Sequence, residues 1–425
     1  MTDDQKKEQP PILVARDQWS IPVSSVQRTL ADGIKAFVTR IRQSTWLEDS
    51  PAQDAEKLKP LSKRRLARWT PPPEWNRELA GFADAIDSWQ QRWADTQPVS
   101  FLVAPPFTGV QTSLETLCRD RGWKLIEPPE SYSIHRAEDA QKWWSQFEGD
   151  TPWVLPELAH CWLRTPTGLR LIRRLLGAAA SGELGKGIVG SSSWTWKYWS
   201  HLMPELRFAV LTPQAYDHAR LGQWFRDLSQ YQSQTEVHFR LTTNGSWVVT
   251  PLDDAHKNGS NKRAQKVSSF LRDLASWSRG IPEVAWAVWR DSLRTEPEDD
   301  LDEAVLQDGS DCEGDRASEK PKAVVNGYQH GWVIPWSQVS LPSLPPGESR
   351  PLAFLLHSML LHGGLDNERL EITTGLSADD VGICLHSLRR AELVTSHARG
   401  WFVTPKGYPA IRRYLLSEGF MVDGF

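Results

Sequence analysis

From residue 98 onward the sequence sets short apolar runs between stretches of helical periodicity, and this alternation limits the fold more than any other feature. The runs are VSFLVAP, WKLIEP, PWVLPEL, GKGIVGSSS and LRFAVLTP. Runs this short and this uniformly apolar fit strands buried on both faces, and parallel strands need crossover helices to connect them. The intervening segments 112–121, 136–147, 167–180 and 194–202, with another at 217–229, have helical patterns. The expected fold class is therefore α/β, a three-layer parallel sheet over roughly 98–232. Ligands of such sheets sit at the carboxyl ends of the strands, which points to the loops after Val103, Leu155 and Val189.

The flanks read differently. Residues 1–70 are expected to form a partly ordered arm, with apolar positions at Ile34, Phe37, Val38 and Ile41. Its basic run, Lys63, Arg64, Arg65 and Arg68, reads as a solvated charged face, with an anionic partner as the alternative. After TPPP, the residues Trp75, Leu79, Phe82, Ile86, Trp89 and Trp93 recur at helical spacing and predict one apolar helix face. A domain of 71–232 results. Beyond it, 233–295 is expected to hold a hairpin followed by helices: Val237, Phe239 and Leu241 alternate, turn at Asn244-Gly245, and continue to Trp247 and Val249. Helices are expected around 264–279 and 282–294. Residues 296–315 hold ten acidic and no basic residues, so 296–323 reads as an acidic disordered linker. In 324–425, three helices, a two-stranded wing and a last helix predict a winged helix-turn-helix.

Composition narrows the functional classes. The 425 residues carry a formal net charge of −4, which excludes a globally basic protein that coats nucleic acid. The 22 tryptophans demand either aromatic cores or a partner-facing surface, with helices such as 75–93 and 194–199 as candidate interface anchors. Cys118, Cys161, Cys312 and Cys384 form no CxxC pair, so neither a disulfide framework nor a zinc ribbon is expected, and a cytoplasmic location fits. No export signal or membrane span is expected either; the longest apolar stretch, Leu352 to Leu361, is interrupted by His357.

The loop after the first run reads Ala104-Pro105-Pro106-Phe107-Thr108-Gly109-Val110-Gln111-Thr112. It resembles the loop of AAA-type P-loop ATPases, typically Gly-Pro-Pro-Gly-Thr-Gly-Lys-Thr, in Pro105, Pro106, Thr108, Gly109 and its placement between strand and helix. The resemblance spans about 98–294, and a winged helix is a common companion of such a domain. It departs where the chemistry lies: Ala104 and Phe107 replace glycines, Val110 replaces the lysine, and Gln111 replaces the hydroxyl that binds Mg²⁺. Lysine supplies the point charge on the phosphates, and glycines let backbone N–H groups approach them. Thr112 reaches the hydroxyl position only by a one-residue slip, and no slip recovers a lysine.

By the same resemblance, Glu157 matches the second acid of the Asp-Glu pair after the third strand, with Pro156 in place of the first. Ser191 or Ser192 matches a polar sensor, in competition with capping the next helix. Arg279, beside a Gly-x-Pro turn, loosely matches a lid arginine, and the resemblance makes 233–295 a helical lid with a hairpin insertion. The resemblance implies a catalytically degenerate domain: an AAA-like pseudo-ATPase that acts as a regulatory or adaptor scaffold through protein contacts, with no cofactor and no metal. One alternative is a P-loop NTPase with an unorthodox site, in which Glu157, Thr112 and a cation such as Lys186 or Arg279 handle ATP and Mg²⁺. The other is a winged-helix DNA-binding regulator, with Lys257, Lys262, Arg263, Arg389, Arg390 and Arg399 on nucleic acid. Against direct base reading, the third winged-helix segment begins Ser377-Ala378-Asp379-Asp380, and carboxylates there repel phosphates. An oligomer is compatible with each of these.

Adjacent His160 and Cys161 point apart and form no nucleophile pair, and His357 and His362, five apart, are not a helical zinc pair. The apolar tail Gly419-Phe420-Met421-Val422-Asp423-Gly424-Phe425 is expected either to dock on its own winged helix or to serve as a peptide ligand for a capturing groove.

Overall fold

The computed structural model describes residues 13–22, 58–75, 81–93, 97–130, 134, 140–231, 236–251, 267–296, 328–345 and 349–425. The expectations at Ile34 to Ile41, Leu79, the basic loop with Lys257, Lys262 and Arg263, and all but the first residue of the acidic linker lie outside these residues. Two compact units form, both discontinuous in sequence: residues up to 20 with 74–215 and 342–425, and 21–73 with 216–341. The division cuts across the boundaries expected from the sequence. The C-terminal segment 342–425 shares a unit with the sheet, and helix His218–Tyr231 belongs to the other unit.

In the first unit the elements are β1 (Leu13–Ala15), α1 (Phe82–Trp93), β2 (Val99–Ala104), α2 (Val110–Asp120), β3 (Lys124–Leu125), α3 (Gln141–Trp144), β4 (Trp153–Leu155), α4 (Arg170–Ser181), β5 (Gly187–Ser192), α5 (Ser193–Leu202) and β6 (Val210–Pro213). Then follow α6 (Ser349–His362), α7 (Asn367–Thr374), α8 (Ala378–Arg390), β7 (Val394–His397), β8 (Gly400–Val403) and α9 (Tyr408–Ser417). The fold is α/β. All five expected strands are present and pair in parallel, in the order β6-β2-β5-β4-β3. The arm adds what the sequence did not announce: β1 joins the sheet antiparallel to β6.

Alternation along the strands builds two apolar layers. Phe101, Val103, Trp153, Leu155 and Val189 face α3, α4 and α5, whereas Leu102, Ala104, Val154 and Ile188 face α1 and α2. Each large side chain buried this way contributes about 1.5–3 kcal/mol. Residues 171, 172, 175, 176 and 179 make the buried stripe of α4, which ends at Gly182 with φ +80°. Close strand approach also needs glycine: a Cβ on Gly190 would lie 2.1 Å from the Pro156 carbonyl oxygen.

The tryptophans go mainly inward. Trp194 and Trp199 are 1% exposed and Trp196 is buried, so the helix expected to offer interface anchors is a core helix; Trp89 is buried too.

The second unit holds a four-stranded sheet in the order Lys59–Pro60, Leu293–Thr295, Tyr328–Val333, Glu236–Leu241. Helices Lys63–Trp69, His218–Tyr231, Phe270–Trp277 and Pro282–Ser292 pack one core with it, around Phe225, Phe239 and Trp289. Arg65 departs from the solvated face expected for the basic run: it is buried, and its Nη1 donates to Thr295 Oγ1 at 2.6 Å. A helix face with Arg65 and Trp69 four apart explains this, because both point to the core. The expected hairpin is cut short. The chain turns at Asn244-Gly245, but Trp247 makes isolated bridges to Arg240 and Val267 rather than a second strand, and Glu236–Leu241 instead pairs in parallel with Tyr328–Val333.

Candidate functional site

The helix after β2 packs on one face of the sheet and the helix after β5 on the other, so the crevice between these two strands is the switch point where α/β sheets bind ligands. The loop Pro105–Gly109 rises from β2 at this place. Phe107 and Gly109 hold left-handed backbone, with φ +69° and +73°, and the Thr108 hydroxyl donates to the Pro105 carbonyl at 2.9 Å. Such a φ is a strained position for a bulky residue. The loop thus keeps a glycine-type backbone with a phenylalanine in it.

Its side chains point to apolar packing. Val110 is 6% exposed and lies in the core layer with Leu13, Phe82 and Leu114. The Phe107 ring meets Tyr408 of α9 edge to face, with centroids 5.7 Å apart. The Trp75 indole lies against Gly109 so closely that an added Cβ would stand 2.0 Å from the ring. Gln111 donates to Glu115 Oε1 at 3.0 Å, and Thr112 is exposed on the first turn of α2. Ala104 is buried at the end of β2.

Glu157 follows β4 and closes the crevice from the other side. Its Oε1 accepts from Ala159 N at 2.8 Å and from Ser192 N at 3.0 Å, tying the ends of β4 and β5 together. Burial pushes its carboxyl up to about 7, against the opposing effect of those two backbone bonds. Ser192 acts as a helix cap: its Oγ accepts from Trp194 N at 3.3 Å. Arg279 sits in the second unit with φ +58°, at the turn before Pro282. Arg389, Arg390 and Arg399 are exposed on the end of α8 and the β7–β8 turn, and Asp379 and Asp380 are exposed at the start of α8. Cys161 is fully buried with its thiol pushed up by burial, which makes it inert as a nucleophile.

The residues that sequence reasoning missed come from the C-terminal segment. Asp423, 1% exposed at its side chain, accepts from Ser193 Oγ at 2.5 Å, Tyr408 Oη at 3.2 Å and Arg412 Nε at 2.8 Å. Arg412 Nη2 also donates to the Asp423 carbonyl at 2.8 Å, and Trp194 Nε1 donates to Tyr408 Oη at 3.1 Å. Phe425, 3% exposed, inserts into the core beneath the sheet, edge-on to Trp19 at 5.1 Å, with the Arg16 guanidinium 5.5 Å from its ring. The tail docks on its own chain, but its end is seated on the sheet layer rather than on the C-terminal helices.

A second set of polar contacts holds α6. Arg164 Nη1 donates to His357 Nδ1 at 3.2 Å, and its Nη2 donates to Ser358 Oγ and the Thr373 carbonyl, both at 3.2 Å. Because Arg164 can only donate, His357 carries its proton on Nε2 and gives it to the Met421 carbonyl at 3.2 Å. Among the described residues no group of three or more His, Cys, Asp or Glu is arranged to hold a metal ion.

No family model matches the sequence, and no curated protein matches it. Solved structures do resemble it. A Thermotoga maritima RuvB variant is 11% identical, covering 81% of this chain and 95% of that one at a TM-score of 0.31. Cdc6p of Pyrobaculum aerophilum is 12% identical, covering 85% and 99% at 0.31, and a Walker-type ATPase of Pyrococcus abyssi is 10% identical, covering 87% and 99% at 0.24. With TM-scores below 0.5, none of these likenesses carries the fold, which stands on the strand order and packing above.

Proposed function

We propose that the chain is an AAA-like pseudo-ATPase, a scaffold that works through protein contacts and turns over no nucleotide. The observation that carries this reading is Val110: the position from which a lysine would reach phosphates is sealed in the apolar layer between the sheet and α1 and α2. Three contacts support it. Trp75 covers Gly109, Phe107 is engaged by Tyr408, and the Gln111 amide is bonded to Glu115. ATP with Mg²⁺ does not fit these residues, since neither a cation for the phosphates nor a hydroxyl for the metal comes from the loop. The helices α6, α7 and α8 with the β7–β8 hairpin are read as a winged helix. Its use is protein binding, because Asp379 and Asp380 stand where a base-reading helix would meet phosphates.

Calorimetry of the full chain with ATP, ADP and GTP, each with and without Mg²⁺, tests the reading. No heat up to millimolar ligand is expected. Mg²⁺-dependent turnover that disappears in Glu157→Gln would overturn it in favour of an unorthodox NTPase, the one alternative with an observation behind it: a carboxyl near pKa 7 at the crevice.

A further inference from the structure

The tail 420–425 has no regular secondary structure and follows Gly419, whose φ of +76° breaks it from α9. Its burial alternates. Asp423 and Phe425 are buried, Gly424 between them is exposed, and Met421 and Val422 are partly exposed. Two side chains, an acid and an aromatic two residues apart, therefore hold the last part of the segment. The acid is met by three donors on two elements: Ser193 at the start of α5, and Tyr408 and Arg412 one turn apart on α9. The aromatic ring is met by Trp19 and Arg16 beside β1.

A segment that only sealed a core would do so with apolar side chains, since a buried ion pair is at best neutral for stability against a well-packed hydrophobic replacement. What a fully bonded buried carboxylate adds is discrimination, because a side chain without an acceptor there takes away the partner of Arg412 Nε and of the Ser193 and Tyr408 hydroxyl protons. We propose that Ser193, Tyr408, Arg412, Trp19 and Arg16 form a socket for peptides of the pattern acid-x-aromatic, that the chain's own tail occupies it in cis, and that the socket captures such a segment of a partner protein when the tail is displaced. This deepens the scaffold reading and rests on it, but its test reads peptide and not nucleotide, so the two fail separately.

Tethering gives the tail an effective concentration of about a millimolar, so a free peptide competes poorly with the intact chain. The probe is a fluorescein-labelled peptide, Phe-Met-Val-Asp-Gly-Phe, titrated by anisotropy into the full chain and into full-chain Asp423→Asn/Phe425→Ala. The weakened tail is expected to raise apparent affinity at least about 100-fold over the intact chain. A peptide with Asn for Asp is expected to lose about tenfold or more, as is the double variant with Ser193→Ala added. A double variant that keeps its circular dichroism and fails to bind overturns the proposal. Where the double variant does not fold, the intact chain is tested with millimolar peptide carrying benzoylphenylalanine in place of its last Phe. Photocrosslinks to the segment around Arg16 and Trp19 support the socket, and crosslinks elsewhere or none overturn it. A wild-type chain that instead dimerises with concentration by exchanging tails also overturns the partner assignment, because the socket would then read a second copy.

Discussion

The two rims of the crevice solve opposite problems. At the end of β2, the loop Pro105–Gly109 has left-handed backbone at Phe107 and Gly109, and its side chains turn to Val110 packing, the Phe107–Tyr408 contact and the Trp75 cover. At the end of β5, α5 starts with a buried, fully bonded Asp423 brought by the chain's own tail. Tyr408 takes part in both, with its ring on Phe107 and its hydroxyl on Asp423. The difference teaches that one switch point can hold an apolar, ring-packed loop at one strand end and a buried carboxylate from the chain's own tail at the neighbouring one.

The strongest way to break this comparison is to remove that anion. Asp423→Ala strands a buried Arg412 and the hydroxyls of Ser193 and Tyr408, and a broken buried pair costs about 3–5 kcal/mol. Urea unfolding should show that loss, with a smaller one in Asp423→Asn, which keeps an acceptor. A loss below about 1 kcal/mol in the alanine variant would mean that the tail does not hold the C-terminal helices in solution.

Acid separates the two rims next. Burial, and then the neighbouring Arg164, holds His357 down at about 4, and the same causes hold His362 at about 3. Both have folded values below the unfolded one near 6.5, so their contribution is complete above pH 6.5 and is lost as pH falls towards 4. At pH 5 the pair costs about 4 kcal/mol, and His357→Gln should remove about half of that slope between pH 7 and 5 in urea titrations.

Glu157 titrates with the opposite sign. Its folded value of about 7 lies above the unfolded 4.5, so stability is greatest below pH 4.5 and falls as pH rises to 7. Glu157→Gln keeps an acceptor for Ala159 and Ser192 and removes the buried charge. It should stabilise the chain by about 3 kcal/mol at pH 8 and change little at pH 4.5. Equal effects at both values would show that Glu157 is solvated rather than desolvated at the crevice.

How much of this was legible depends on the range of the forces involved. The five strands and their helices were readable because burial on both faces writes a local pattern of short apolar runs. The Ser192 cap was readable as one of two roles, since both need only a serine before a helix. The antiparallel β1 was not, because three residues carry no period. Arg65 was misleading for a related reason: charge in a run predicts solvent, whereas its helix face turns it inward beside Trp69, where the distant Thr295 accepts its bond. The socket depends on Ser193 and Asp423, 230 positions apart, and no local pattern connects them. Even so, Asp423, the one charged residue in a tail otherwise of glycine and apolar side chains, was the signal that something had to receive it.

The smallest expected effect sharpens the other rim. Phe107→Gly relieves a left-handed backbone strain of about 1–3 kcal/mol, but loses the edge contact with Tyr408, about 0.5–1.5 kcal/mol, and part of the ring's burial. These terms oppose each other, so stability should move by less than about 1 kcal/mol in either direction. The informative readout is therefore not the melting point but nucleotide binding in this variant. If Phe107 were the only obstacle, glycine would open the loop and ATP would bind. Because Val110 still leaves the phosphates without a cation, the variant should bind no more ATP than the intact chain. Binding that appears in Phe107→Gly alone would show that the loop's backbone N–H groups suffice, and that the degeneracy of the β2 rim rests on a single ring.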